Sequence, residues 1–280
     1  MTLGLALFLG RVMKYVFKDL LIPIAKPILS KVHRYKDIHR GESCYIMGGG
    51  ISLKWFDLAE FTGKTTINLA LFPFHNDFNK LNVSYSVLTE PWWFYPFFKT
   101  ASKGYIKNYL QIAYRDVIEK YPDKEFFINL SNYPVLKNKN ITYLFRDLYD
   151  PKLTQDFISR RINACHGAFR TAILLAIYMG FDHIYLVGCD YTHVPSRSLH
   201  WFEKGQGILY PQGNYQKEYF EIAKEFIDIT TITLDGTSDF INAVTYKEYT
   251  GREPIYRENT ELVNERYLKL LDTWPGYSIY

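Results

Sequence analysis

Cysteine is scarce in this 280-residue chain: Cys44, Cys165 and Cys189 are an odd number, widely spaced, with no Cys-x-x-Cys pair. A disulfide framework is therefore not expected, and a reducing cytoplasm is the compartment that fits. Long apolar runs are missing as well. The first, residues 3–10, is too short to cross a bilayer. No basic residue precedes it and no small-x-small cleavage site follows it, so a secretory signal is not expected. The one glycine triplet, Gly48–Gly50, is neither of the common nucleotide loops: it lacks the Lys-Ser/Thr that ends a P-loop, and Leu53 stands where Gly-x-Gly-x-x-Gly needs its last glycine. Nothing is repeated or of low complexity. A chain of this length can bury one large α/β core, and one catalytic domain is the simplest count.

What is plentiful is aromatic side chain, 18% of the residues with 24 Tyr, which suits stacking on bases and sugars as well as ordinary cores. The charge is unevenly placed. Residues 1–40 carry eight Lys or Arg against Asp19 and Asp37, a net +6, and with +4 overall the other 240 residues stand at −2. The basic excess belongs to the N-terminus, so no nucleic-acid partner is expected. Val12, Tyr15, Val16, Leu20, Leu21 and Ile24 recur there at helical spacing beside the basic residues. This reads as an amphipathic helix that lies on an anionic membrane surface, each Lys or Arg contributing about 1 kcal/mol. The plainer alternative is a helix docked on its own domain or on a second copy of the chain, a homo-oligomer.

The organisation that follows is a basic N-terminal segment (1–40), a Rossmann-like domain (41–250) and a C-terminal extension (251–280). Past Gly41, short apolar runs alternate with helical patterns. Strands are predicted at 44–47, 65–69, 84–88, 125–130, 141–145, 183–187 and 230–234. The run 168–179, apolar on every side and followed by Gly180, predicts a buried helix with a glycine stop. The fold class is α/β: a mostly parallel, Rossmann-like sheet with flanking helices, in which ligands bind beyond the carboxyl ends of the strands.

The residues just after those strands are the informative ones. Cys44–Met47 runs straight into Gly48, Gly49 and Gly50 and then Ser52. Glycines let the backbone approach a ligand, and Ser52 would cap a helix whose free N–H groups point at an anion, so this reads as a nucleotide-phosphate loop. A plain tight turn is the competing account. Asn68 offers a donor and an acceptor, Glu90 can accept from ribose hydroxyls, and Ser131 with Asn132 can serve a base edge or a phosphate. Singly, each of these also suits a turn.

A second cluster is Gly188-Cys-Asp190-Tyr191-Thr-His193, with His200 seven residues on. Zinc would want three or four convergent ligands, and only Asp190, His193 and His200 are at hand, so no metal is expected. A general base is more economical, since histidine titrates nearest neutrality and contributes about 10² to 10⁴ in rate. Asp190 is better suited to orienting a loop or a ligand than to proton transfer.

Met47-Gly-Gly-Gly-Ile-Ser-Leu53, Ile67-Asn68, Arg161-Ile-Asn163 and above all Ala176-Ile-Tyr-Met-Gly-Phe-Asp-His-Ile-Tyr-Leu-Val-Gly-Cys-Asp190 resemble the small bacterial sialyltransferases of lipooligosaccharide synthesis. They are also similar to the glycosyltransferase core of motility-associated flagellin glycosylation factors. The resemblance spans about residues 40–249. It implies a GT-A-like, metal-independent transferase that needs no cofactor, uses a CMP-activated keto-sugar acid, and closes a lid, here about 191–215, over the donor. Carried over by position, Gly48–Gly50 and Ser52 hold phosphate and ribose, Asn68 touches the cytidine nucleotide, and Gly167 and Asp190 belong to the same nucleotide site. Glu90, in Glu90-Pro91, stands where those enzymes have Asn-Pro. Arg161 matches an Arg before the buried helix. Tyr191 and Tyr210 are candidates for the two lid tyrosines that steady the leaving phosphate. His200, before the helix expected at 216–226, stands where the family has its base, with His193 the alternative. The acceptor implied is a saccharide, lipid-linked at the cytoplasmic face of the membrane. Two rival readings are a pterin pyrophosphokinase-like enzyme, which would use ATP and Mg²⁺ through Glu90 and Asp190, and a non-catalytic membrane-surface adaptor.

Overall fold

The computed structural model describes residues 23–100, 104–146, 163–164, 167–211 and 217–280. In chain order the strands are β1 (Ser43–Met47), β2 (Thr65–Leu69), β3 (Val83–Leu88), β4 (Phe97–Thr100), β5 (Gly104–Lys107), β6 (Glu125–Asn129), β7 (Ile141–Arg146), β8 (Asn163–Ala164), β9 (His183–Val187), β10 (Ser196–Arg197), β11 (Leu209–Tyr210), β12 (Asp228–Thr233) and β13 (Asn242–Thr245). Nine of them form one sheet in the order β13-β12-β9-β1-β2-β3-β6-β7-β8. Every pairing in it is parallel. β4 with β5 and β10 with β11 make two antiparallel hairpins outside it. All seven expected strands are present, with ends displaced by no more than two residues.

The sheet is buried on both faces, which is why its strands read as unbroken apolar runs. Side chains alternate: Tyr45 and Met47 join the core on one face, Cys44 and Ile46 the core on the other. Cys44 and Cys189 are free and buried; Cys165 lies outside the described residues. The second face is covered by the helix Ala168–Met179. It ends at Gly180, left-handed at φ 85°, where the amides of Gly180 and Phe181 return to the carbonyls of Ile177 and Ala176. The first face is covered by the helix Leu110–Lys120, which buries Leu110, Ala113, Tyr114, Val117 and Ile118 along one stripe. Residues 251–280 cover it too: Leu262, Val263, Leu268, Leu271 and Ile279 belong to the same core, so this stretch is an integral layer and not an appended tail.

The described part of the N-terminal segment, 23–40, docks on its own domain. Val32 and Tyr35 are buried against the second face. Lys31 Nζ and Arg34 Nη2 donate to the two carboxylate oxygens of Glu125 at 3.1 and 2.7 Å, and Arg40 pairs with Asp37 at 2.9 Å. Part of the basic charge is thus engaged within the molecule. Residues 1–22, which carry most of the amphipathic pattern, lie outside the described residues. No helix among the described residues is long and apolar enough to cross a membrane.

This docking has a measurable weight. Replacing Val32 and Tyr35 together by Ala removes two buried apolar side chains worth about 1.5–3 kcal/mol each. The double variant should therefore unfold at a clearly lower urea midpoint, and an unchanged midpoint would show that the segment only rests on the surface.

Candidate functional site

From β1 the chain leads to β2 on one side while β9 lies on the other, so the sheet reverses direction of winding between β1 and β9. That is where a parallel α/β sheet opens a crevice at its carboxyl edge. Gly48–Gly50 follow β1 and Gly188–Asp190 follow β9. The two turns interlock: Gly48 N donates to Val187 O at 2.8 Å and Gly50 N to Gly188 O at 2.7 Å. A Cβ on Gly48 would stand 2.2 Å from the carbonyl oxygen of Gly188, and one on Gly50 2.7 Å from the same oxygen and 2.6 Å from the carboxyl of Asp190. Two of the three glycines are therefore required by contact between backbones. At Gly49 the nearest atom to an added Cβ is His200 Cδ2, at 3.3 Å.

Ser52 does not cap the helix that follows. The element is one short 3₁₀ turn, Ile51–Trp55, with Gly50 at its N-cap. The anion at its start is supplied by the chain: Asp190 Oδ2 accepts from Ser52 N at 2.8 Å, and Oδ1 accepts from the Ser52 hydroxyl. Both residues are buried. Asp190 thus orients the loop, and the place expected for a phosphate at this turn is filled by its carboxylate.

The strand ends differ in what they offer. Asn68 is buried and donates through Nδ2 to Ser86 Oγ at 2.9 Å, while its Oδ1 is buried with no hydrogen-bond partner among the described residues. The Thr89 hydroxyl, one strand over, is in the same condition. An unpaired buried polar atom costs about 1–3 kcal/mol, and two on adjacent strand ends mark a place suited to a polar ligand or water. Asn132 is the opposite case. Its Oδ1 accepts from Phe94 N at 2.9 Å and its Nδ2 donates to the carbonyls of Glu90 and Asn129, so its amide clamps the loops after β3 and β6. Glu90 sits at the end of β3, where its charge acts on the Tyr277 hydroxyl.

The helix Ala168–Met179 runs back against the parallel strands and starts at the same carboxyl edge. Gly167, at φ 89°, is its N-cap and makes no side-chain capping bond, so the positive end of the helix dipole faces this edge. Tyr191 packs edge-on to Phe169 in that first turn, 5.0 Å between ring centroids. Arg161 lies outside the described residues. Tyr210 is exposed on β11, at the outer end of the 191–211 segment together with Ile208 and Leu209.

The inner part of that segment is built into the core: Trp201, Phe202 and Glu203 are buried, and Trp201 N donates to Gly49 O at 3.3 Å. His200 forms an antiparallel bridge with Gly50. Its ring stacks on Phe202 at 4.9 Å and meets Tyr277 at 5.5 Å. His200 Nδ1 and Glu203 Oε2 are 2.7 Å apart, and the same oxygen accepts from His200 N at 2.8 Å. Burial alone would raise the Glu203 carboxyl, but the bonds from the His200 ring, Ser278 N and His200 N hold it below its usual range. The Tyr277 hydroxyl is pushed up to about 12 by burial and by the charges of Glu203 and Glu90. His193 is different. It is buried, with Nε2 2.9 Å from Thr231 Oγ1 and Nδ1 3.9 Å from Asp190 Oδ1, and burial lowers its pKa. It ties the loop after β9 to β12, and only His200 opens onto the crevice.

Glu203, Tyr277 and Ser278 were not anticipated from the sequence. His200-x-x-Glu203 carried a local signal for the first; nothing local marks the other two. Among the described residues no three His, Cys, Asp or Glu side chains are grouped so as to hold a metal ion.

No family model and no curated protein matches the chain. Among solved structures it is similar to the sialyltransferase CstII from Campylobacter jejuni in complex with a substrate analogue, cytidine-5'-monophosphate. That likeness has 17% identity and a TM-score of 0.45, over 84% of this chain and 99% of that one. It is similar also to CstII in complex with CMP-3FNeuAc, at 14% identity and a TM-score of 0.42, over 83% of this chain and 100% of that one. At these values the chemistry must rest on this chain's own residues.

The glycines separate experimentally. Gly48→Ala forces two backbones apart and should fold poorly or lose thermal stability severely. Gly49→Ala should fold normally and act only on what His200 does, because the neighbour it meets is a half-exposed ring edge. Equal stability losses in the two would contradict this assignment.

Proposed function

We propose that the chain is a glycosyltransferase that moves a keto-sugar acid, sialic acid-like, another nonulosonic acid or Kdo, from a CMP-activated donor to a saccharide acceptor in bacterial surface glycan synthesis. It needs no metal, and His200 is the general base. The observation that carries this reading is the His200–Glu203 pair set over Gly49 at the β1/β9 crevice. A carboxylate on Nδ1 leaves Nε2 free to take a proton, and at the ends of β2 and β3, on the same edge of the sheet, Asn68 Oδ1 and the Thr89 hydroxyl are buried with no partner among the described residues.

In the reaction the bond from the anomeric carbon to the CMP phosphate breaks with its electron pair going to the phosphate, and the acceptor hydroxyl attacks that carbon while His200 removes its proton. The charge growing on the phosphate has to meet preorganised donors. The amides of Gly48 and Gly50 are engaged within the chain, so the positive dipole end of the helix that begins at Ala168 takes that part, with Tyr191 beside it and Arg161 as the candidate cation. Asn68 and Glu90 face the nucleoside. The pyrophosphokinase reading is less well served, because Asp190 has both oxygens on Ser52.

One panel tests this. CMP without metal should raise thermal stability, by about 2.7 kcal/mol at 100 times its dissociation constant, and Mg-ATP should not. His200→Ala should keep the CMP shift and lose about 10² or more in turnover, whereas His193→Ala should lose stability first. A shift with Mg-ATP and none with CMP would hand the site to the pyrophosphokinase. CMP binding with no donor turnover would leave an adaptor.

We place the protein on the cytoplasmic side, peripheral to the inner face of the membrane, where the acceptor is lipid-linked and the basic N-terminus meets anionic headgroups. The full chain should co-sediment with anionic vesicles at low salt and release at high salt. Indifference to such vesicles would remove the membrane from the proposal.

A further inference from the structure

Glu203 is only 2% exposed, yet it holds one residue at two points: the ring and the backbone N–H of His200 both bond to its Oε2. Its other oxygen accepts from Ser278 N at 3.0 Å, 75 residues further along the chain. The C-terminal strap carrying Ser278 is itself anchored. Lys204 N donates to Ser278 O at 2.7 Å, Asn259 Nδ2 donates to Ile279 O at 3.0 Å, and Trp274 packs on Trp93 at 5.0 Å, just past the end of β3. Between these anchors Tyr277 meets the His200 ring edge-on. The other charged groups around the pair are Lys54 behind Glu203 with its partner Glu258, Asp190 beyond Gly50, and Glu90 beyond Tyr277.

We infer that Glu203 is the positioning residue for His200, and that the C-terminal strap sets Glu203 by donating Ser278 N to its second oxygen. The inference rests on the reading of His200 as the general base. A carboxylate at Nδ1 selects the tautomer with its proton on Nδ1, aims Nε2 at the acceptor, and stabilises the charged ring that forms as the proton arrives. The bond from the His200 backbone N–H fixes the same oxygen in place, so the ring meets a carboxylate already held and cannot turn without giving up its own bond. The strap makes this arrangement dependent on the last residues of the chain, and through Trp274 it joins the base to the loop after β3.

Three measurements on Glu203→Gln and Ser278→Pro decide it: side-chain ¹⁵N shifts of His200 in the free protein, the thermal shift with CMP, and kcat. In Glu203→Gln the Nδ1-protonated signature should be lost or mixed, the CMP shift should stay as in the wild type, and kcat should fall about 10²-fold. Ser278→Pro removes the donor and puts a ring carbon where its hydrogen pointed at Glu203, so it displaces the carboxylate without changing either side chain of the pair and should give the same changes; it also serves if the Glu203 variant folds poorly. An unchanged His200 tautomer in both variants overturns the inference, as does a fall in kcat that only tracks lost stability and lost CMP binding. Should the wild type ignore CMP while the tautomer still moves in both variants, the pairing stands and the transferase reading fails.

Discussion

The backbone at Gly48 lies against the Gly188 carbonyl at a distance that no side chain would permit, and the site descends from that contact. The two turns bring the ends of β1 and β9 together and set Asp190 over Ser52. The carbonyl of Gly49 is left to receive Trp201 N, which lays His200 across the loop. Loosening the contact would shift the ring, because Trp201 is buried on one side of it and Gly49 lies on the other.

A glycine loop after a first strand has two uses, to admit a ligand or to admit another part of the chain. Here they are divided among neighbours: Gly48 and Gly50 admit the chain, and Gly49 faces the histidine. A similar division runs through the polar residues at the strand ends. Asn132 and Asp190 have their capacity filled by backbone and by Ser52, so they hold loops, while Asn68 and Thr89 keep buried atoms unanswered. Burying a carboxylate requires that its bonds be filled. Asp190 and Glu203 meet that condition in different ways, one by stabilising a turn and the other by orienting a ring.

The C-terminal layer gives the first face of the sheet its outer packing and gives the site its wall. Leu268, Leu271 and Ile279 contribute to the core under β1, β3 and β6, and Trp274, Tyr277 and Ser278 reach the crevice. Stability and site geometry are therefore coupled through one segment.

The seven strands, the helix Ala168–Met179 and its glycine stop were legible because their signals are local: short apolar runs, and a single residue that alone tolerates φ near 85°. The helix Leu110–Lys120 carried an equally local stripe. β13 did not, being four residues, Asn242–Thr245, with no more than half-buried side chains. Likewise the sequence by itself determined which polar residues stand past the strand ends, since the strands and the turns that follow them are both locally marked. Whether Ser52 capped a helix or bonded a buried acid, which histidine met the crevice, and that Glu203 and Ser278 held it were decided by the tertiary structure. Those outcomes depend on burial and on contacts between positions 52 and 190, 193 and 231, and 203 and 278, and no local pattern of residues encodes which distant segment will fill a given hydrogen bond.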